Sequence, residues 1–312
     1  MSKTTTFQDV PGLGPASIEK LEEAGYTTVL SVAVASLGQI VTTTGITEKT
    51  ARKIIQHCRD NSGMTFITAT QALEKREQVQ RISTGSQNFD KLMGGGFETG
   101  SIVECYGEFG SSKTQIAHLL AVNCQKDDPT AIAIYIDSEG SFRPERIKQF
   151  AKGAGLDPEK VLENIRVAKA YNTDHQMLLA EQITELIDKE QLNAKLVVID
   201  SLTAHFRSEY IGRGTLAERQ QKLNRHLSAL GKLADMKNLC IYVTNQVMVD
   251  PAQFFGDPTK SVGGHILAHK STFRVYLRKG KKGSRVAKLV DAPNLPDGEI
   301  NFMVLEGGLE DL

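Results

Sequence analysis

The sequence predicts an α/β fold: a P-loop core with a mainly parallel central sheet, preceded by a small all-α unit. Three observations predict it. From about residue 80, short apolar strands alternate with longer amphipathic helices, the rhythm of a parallel sheet flanked by helices. The early strands are unbroken apolar runs, as strands buried on both faces require. The first of them runs into Gly107–Gln115, GEFGSSKTQ, which closes on Lys113-Thr114 and opens a helix. Strand, glycine turn and helix in that order make a phosphate cradle.

The elements follow in order. Residues 1–62 read as short helices, SIEKLEEAGY and TEKTARKIIQHC, with Ser17 and Thr47 as N-caps and Gly25 as a stop. Residues 63–79 read as a linker leading into a helix, and 80–312 as the core. Its strands are predicted at 101–107, 131–137, 195–200, 239–246, 272–279, 285–291 and 300–306, the last ones antiparallel. The helix from Thr215 to about Lys237 places Leu216, Leu223, Leu227, Leu230 and Ala234 along one stripe.

Composition bounds the function. The 312 residues carry no net charge, so nucleic-acid binding must come from local patches. Cys58, Cys105, Cys124 and Cys240 form no C-x-x-C pair and read as buried, reduced thiols. No apolar run approaches the roughly 18 residues of a membrane span, and MSKTTTFQDV lacks a signal-peptide core. A soluble intracellular protein is expected.

In the loop, backbone N–H groups of Gly107, Glu108, Phe109, Gly110, Ser111, Ser112, Lys113, Thr114 and Gln115 would wrap a phosphate. Lys113 would reach the β- and γ-phosphates and Thr114 would hold Mg²⁺. A plain glycine-serine turn is the competing reading. Two further strands argue against it. LVVID ends in Asp200, suited to the Mg²⁺ shell, and IYIDSEG ends in Asp137 and Glu139. Ligands of open α/β sheets bind at such carboxyl ends. Glu139 is the candidate that orients or deprotonates water. Gln246, ending IYVTNQ, is placed to sense the γ-phosphate.

With those residues in place, the chain resembles the archaeal RadA recombinases of the RecA-like recombinase family. The resemblance spans nearly the whole sequence and rests on YIDSEGSFRPERI, LVVIDSLTAHFRSEYIGRGTLAERQQKLNRHL, VTNQV, GGHILAHKSTFR and DAPNLPDGE. It implies a RecA-like ATPase core that uses ATP and Mg²⁺, forms filaments on single-stranded DNA and exchanges strands with a homologous duplex.

It also implies roles. Glu139 matches the catalytic glutamate, and Arg146 the side chain packed on the adenine. Gln246 and His269 match groups coupling the γ-phosphate to the second DNA loop. Arg207, Tyr210 and Arg213 fall in the first DNA loop, and Arg219 just beyond it. Lys260, Gly263 and Gly264 fall in the second, about 247–264. Residues 291–299 match a segment capping ATP from the next protomer. FITA, with Phe66 and Ala69, matches the polymerisation motif that fills two pockets on a neighbour. The turns GLG and GI resemble helix-hairpin-helix turns, with weak duplex binding expected. Six basic and six acidic residues in 1–62 give that no electrostatic support. Partners are then single- and double-stranded DNA and further copies of the chain, in the cytoplasm at the nucleoid.

Residues 258–290 hold nine Lys and Arg and no acid, a local bias suited to sequence-independent phosphate binding. Two features depart from the family pattern. Ser112 stands where the last loop glycine belongs. At φ > 0 a serine costs about 1 kcal/mol or slightly more; in a helical conformation it costs little. The join between AVNCQKDD and AIAIYID is also short, which predicts a trimmed surface loop. A strand-exchange ATPase leads, a weakly catalytic paralog tuning another recombinase follows, and a small-molecule P-loop kinase is the distant third.

Overall fold

The computed structural model describes residues 6–10, 13–62, 66–249 and 259–312. It divides into two compact units, Met1–Gln78 and Val79–Leu312.

The first unit is helical: α1 (Pro15–Glu23), α2 (Val29–Ala33), α3 (Leu37–Thr44), α4 (Glu48–Asn61) and α5 (Ala69–Glu77). Leu21, Val32, Ile40, Ala51 and Cys58 are fully buried at the centre of the first four. Thr47 caps α4 as expected, accepting from the N–H of Thr50. Ser17 does not cap α1. Pro15 occupies the first helical position and Gly14 the cap, so the helix begins three residues earlier and Ser17 lies inside its first turn. Gly25 turns left-handed (φ 83°) just past the end of α1. Helices α2 and α3 were not predicted. Each starts with a capping box, Thr28 with Ser31 and Ser36 with Gln39. A third box, Thr68 with Gln71, opens α5. Phe66 therefore precedes the helix, while Ala69 is already helical.

The second unit adds β1 (Arg81–Ile82), α6 (Gln87–Leu92), β2 (Phe97–Glu98), β3 (Ser101–Gly107), α7 (Lys113–Asn123), β4 (Ile132–Asp137), α8 (Pro144–Gly153), α9 (Pro158–Glu163), β5 (Ile165–Lys169), α10 (Thr173–Glu190), β6 (Ala194–Asp200), α11 (Ala204–Glu209), α12 (Leu216–Lys237), β7 (Cys240–Asn245), β8 (Val247–Val249), β9 (Thr259–Ser261), α13 (Gly264–Lys270), β10 (Phe273–Lys279), β11 (Arg285–Asp291), β12 (Gly298–Val304) and β13 (Leu309–Asp311). Nine strands form one sheet in the order β13-β12-β11-β10-β3-β7-β6-β4-β5. From β10 to β5 all neighbours are parallel, and β10 to β13 pair antiparallel.

Cores lie on both faces of the sheet. One holds Ile116, Leu120 and Phe150 of α7 and α8. The other holds Ile183 of α10 and Leu223, Leu227 and Leu230 of α12. The predicted α12 stripe holds except at Leu216, which is exposed at the helix start. The short join before β4 closes on Asp128, which accepts from the N–H of Thr130 and from Asn193 Nδ2. All four cysteines are free and buried, and burial raises the thiols of Cys105 and Cys124 to about 12. No described helix is long and apolar enough to cross a membrane.

His226 of α12 is buried against Gln176 of α10 and stacks on Phe206. Burial pushes it down to about 4, against about 6.5 in an unfolded chain. Between those values the unfolded chain binds a proton that the folded one refuses, so stability falls as pH falls, by up to about 3 kcal/mol. The thermal midpoint is expected to drop more steeply from pH 7 to 4.5 than that of His226→Gln. Parallel pH curves would contradict this.

Candidate nucleotide-binding site

The parallel strands β3, β4, β6 and β7 end at one sheet edge, and the candidate residues gather there. β3 enters the loop at Gly107, where the backbone runs close to β10. A Cβ at Gly107 would sit 2.0 Å from the carbonyl oxygen of Leu277, so only glycine fits. Gly110 and Ser112 both take left-handed conformations, at φ 76° and 80°. Ser112 thus carries the strain anticipated for φ > 0, about 1 kcal/mol or slightly more. It is the N-cap residue of α7 and makes no side-chain cap there. The first N–H groups of α7 are left for a ligand.

Lys113 Nζ donates to the carbonyls of Gly107 and Glu108, each at 2.9 Å. Burial lowers its pKa, while Asp200 and Glu139 pull it back up. Such a half-buried ammonium awaits an anion. Thr114 Oγ1 donates to Asp200 Oδ2 at 2.7 Å. Asp200 also accepts from Tyr135 at 2.9 Å, Ser141 at 3.0 Å and Thr244. Four hydroxyls hold this buried carboxylate in place. Thr114 and Asp200 are hard oxygen donors side by side, which fits Mg²⁺ shared with nucleotide phosphates and water. Among the described residues no cluster of three or more His, Cys, Asp or Glu offers a cage of its own.

Asp137, which ends β4, and Glu139, two residues beyond it, do different things. Asp137 accepts from the N–H groups of Glu139, Ser141 and Phe142 and shapes the turn. Glu139 is exposed and faces the cavity, where its Oε1 accepts from Gln246 Nε2 at 2.8 Å. Gln246 Oε1 in turn accepts from Arg207 Nη1 at 3.2 Å. One hydrogen-bonded chain therefore runs from the loop's acid to α11. The cavity measures about 620 Å³ and is lined by the loop, Glu139, Ser141, Asp200, Thr244, Gln246 and Arg285.

Other candidates lie around it. Arg146 stands 3.8 Å over the Phe150 ring. It donates to Gln115 Oε1 at 2.7 Å and to the carbonyls of Leu305 and Glu306. Gln115 lines the cavity, whereas Arg146 reaches it only through Gln115. His269 sits on α13 with its ring 6.1 Å from that of His265, and is not brought to the cavity wall. Arg207 is exposed, Arg219 half-exposed. Tyr210 packs near Phe206, with Lys222 Nζ 5.4 Å from its ring. The side chains of Arg213 and Lys260 lie outside the described residues, as do residues 250–258 of the second loop and Gly12, the first glycine of the GLG turn. Gly263 and Gly264 are left-handed at the start of α13. Val262 N–H donates to the carbonyl of Gln246 and closes the second loop's base.

The basic run at 258–290 divides in the fold. Arg274 is half-buried and pairs with the buried Glu104 at 2.7 Å, and Arg278 meets Glu299 at 3.4 Å. Lys279 passes beside Gly110, and Arg285 Nε donates to Ser112 Oγ at 3.1 Å. Sequence reasoning missed Arg285 and the Arg207–Gln246 contact. Both join residues far apart in sequence, and no local pattern signals them.

A family profile described as Rad51 matches residues 75–312, and one described as a SAM-like helix-hairpin-helix tandem matches residues 5–60. The first spans well over half of the sequence. With its P-loop core and N-terminal helix-hairpin-helix domain, the chain belongs to the Rad51 family, recombinase-type DNA-binding ATPases that use ATP with Mg²⁺.

Proposed function

We propose that this protein is a strand-exchange recombinase of the archaeal RadA kind, which assembles on single-stranded DNA with ATP and pairs it with a homologous duplex. The observation that carries this is the chain Glu139–Gln246–Arg207, which joins the phosphate cavity to the first DNA loop. A change at the terminal phosphate is felt at Gln246, and Gln246 holds both Arg207 and the base of the second loop.

Lys113 and the α7 N-terminus hold the phosphates. Thr114 and Asp200 would hold Mg²⁺, which would supply charge neutralisation at the phosphates. Glu139 accepts the proton of the attacking water or orients it, and Gln246 positions Glu139 for that step. Arg146 flanks the adenine, His269 joins Gln246 in coupling the γ-phosphate to the second DNA loop, and the segment 291–299 caps a neighbour's nucleotide. Arg207, Tyr210, Arg213, Arg219, Lys260, Gly263 and Gly264 carry DNA contacts made mainly to the backbone.

Assembly uses Phe66 and Ala69. Phe66 is wholly exposed. A groove of about 310 Å³ beside the edge strand β5 is lined by Ile134, Ile136, Val167, Leu179, Ile183 and Leu186. An extended FIT segment from a second copy would add to the β5 edge and seat its ring there.

Ser112 favours a second reading. Its strained backbone sits in the catalytic loop, and a weakly catalytic paralog that modulates another filament would tolerate it. An exchange assay between circular single strands and a linear homologous duplex separates the two. Joint molecules with ATP and none with ADP are expected. DNA binding without joint molecules would favour the paralog.

A further inference from the structure

Two cations of the β10–β11 hairpin, Arg285 and Lys279, lie against the phosphate loop. Arg285 lines the cavity. Its Nε donates to Ser112 Oγ, and its Nη1 to the carbonyls of Gly283 at 2.7 Å and Ser284 at 2.9 Å. Three bonds thus fix the guanidinium. No carboxylate pairs with it among the described residues, and its Nη2 has no protein acceptor there. Lys279 lies next to it along the loop, with Nζ about a van der Waals contact from where a Gly110 side chain would begin. An arginine left unneutralised beside open helix N–H groups is built for an anion.

We propose that Arg285 is a phosphate-contacting residue supplied by the same chain, and that Ser112 positions it. This rests on the reading of the cavity as an ATP site. The contact falls on the α/β-phosphate portion, because Ser112 stands at the N-terminus of α7, where loop N–H groups cradle those phosphates. Ser112 then has a purpose that glycine could not serve: its hydroxyl turns away from the helix and holds the guanidinium. The strain at φ 80° is the cost of that placement.

The test is calorimetric binding of Mg-ATP and Mg-ADP to the full chain, with single-stranded DNA binding measured alongside without nucleotide. Arg285→Ala is expected to weaken ATP and ADP alike by about tenfold, the size of a charge-assisted hydrogen bond, and to leave DNA binding unchanged. Arg285→Lys should recover part of the loss. Ser112→Ala keeps the backbone and removes the hydroxyl. It should weaken binding less, and add nothing in the Arg285→Ala background. Unchanged binding of both nucleotides in Arg285→Ala, a loss for ATP alone, or a loss confined to DNA binding would overturn the assignment. Additive losses would overturn the role of Ser112. Lys113→Ala is the control: if it too binds nucleotide normally, the ATP-site reading itself fails. A silent Arg285→Ala beside a defective Lys113→Ala sinks the proposal alone.

Discussion

Lys113→Ala is expected to abolish ATP-dependent strand exchange and to lower ATP turnover at least about 100-fold. The side chain is the one ammonium held inside the loop, on the carbonyls of Gly107 and Glu108. Those carbonyls face solvent once it leaves, so the fold loses little. Its burial lowers its pKa, so the loop holds the charge at some expense, which a bound phosphate would relieve. Removing a cation from a preorganised anion site costs about 3 kcal/mol or more in the reacting state. A thermal midpoint within a few degrees of wild type, with joint molecules absent on a gel, is the expected pair of results. Exchange at the wild-type rate would sink the nucleotide-site assignment.

Phe66→Glu is expected to break oligomers to single chains. Phe66 is exposed in the isolated chain, so the substitution leaves the chain's own fold intact. In an assembly it would forfeit about 2–3 kcal/mol of ring burial and bring a carboxylate to an apolar groove. The interface should weaken by about 100-fold or more. Val167→Glu, on the groove side and exposed, should act the same way. Light scattering decides it: a wild-type mass for Phe66→Glu means that the linker packs elsewhere and the groove has another use.

How much was legible depended on the range of the signal. The strands β3, β4, β6 and β7 are buried almost throughout and stood out as largely apolar runs. β5 did not: Ile165–Lys169 is an edge strand with Arg166 and Lys169 in five residues, and its burial alternates. α2 is only five residues long, too short for a helical period, although its capping box was written in the sequence. The phosphate loop was legible because its chemistry is contiguous. Glu139 was singled out there too, but the part of Asp137 was not legible, since only the turn after β4 brings its carboxylate onto the N–H groups of Glu139, Ser141 and Phe142. The Arg285–Ser112 contact comes from sheet order. β10 lies beside β3 and the hairpin brings β11 back over the loop, joining residues 173 apart.

The same contact bears on the central claim, that GEFGSSKTQ is a working loop coupled to DNA. The most direct measurement is ATP hydrolysis by the natural protein with and without single-stranded DNA, beside Ser112→Gly. Turnover raised severalfold by DNA in the natural protein is the predicted result, with Ser112→Gly active as well. No hydrolysis in either protein, with or without DNA, would contradict the account; hydrolysis restored only by Ser112→Gly would make the serine a brake and put the paralog reading first.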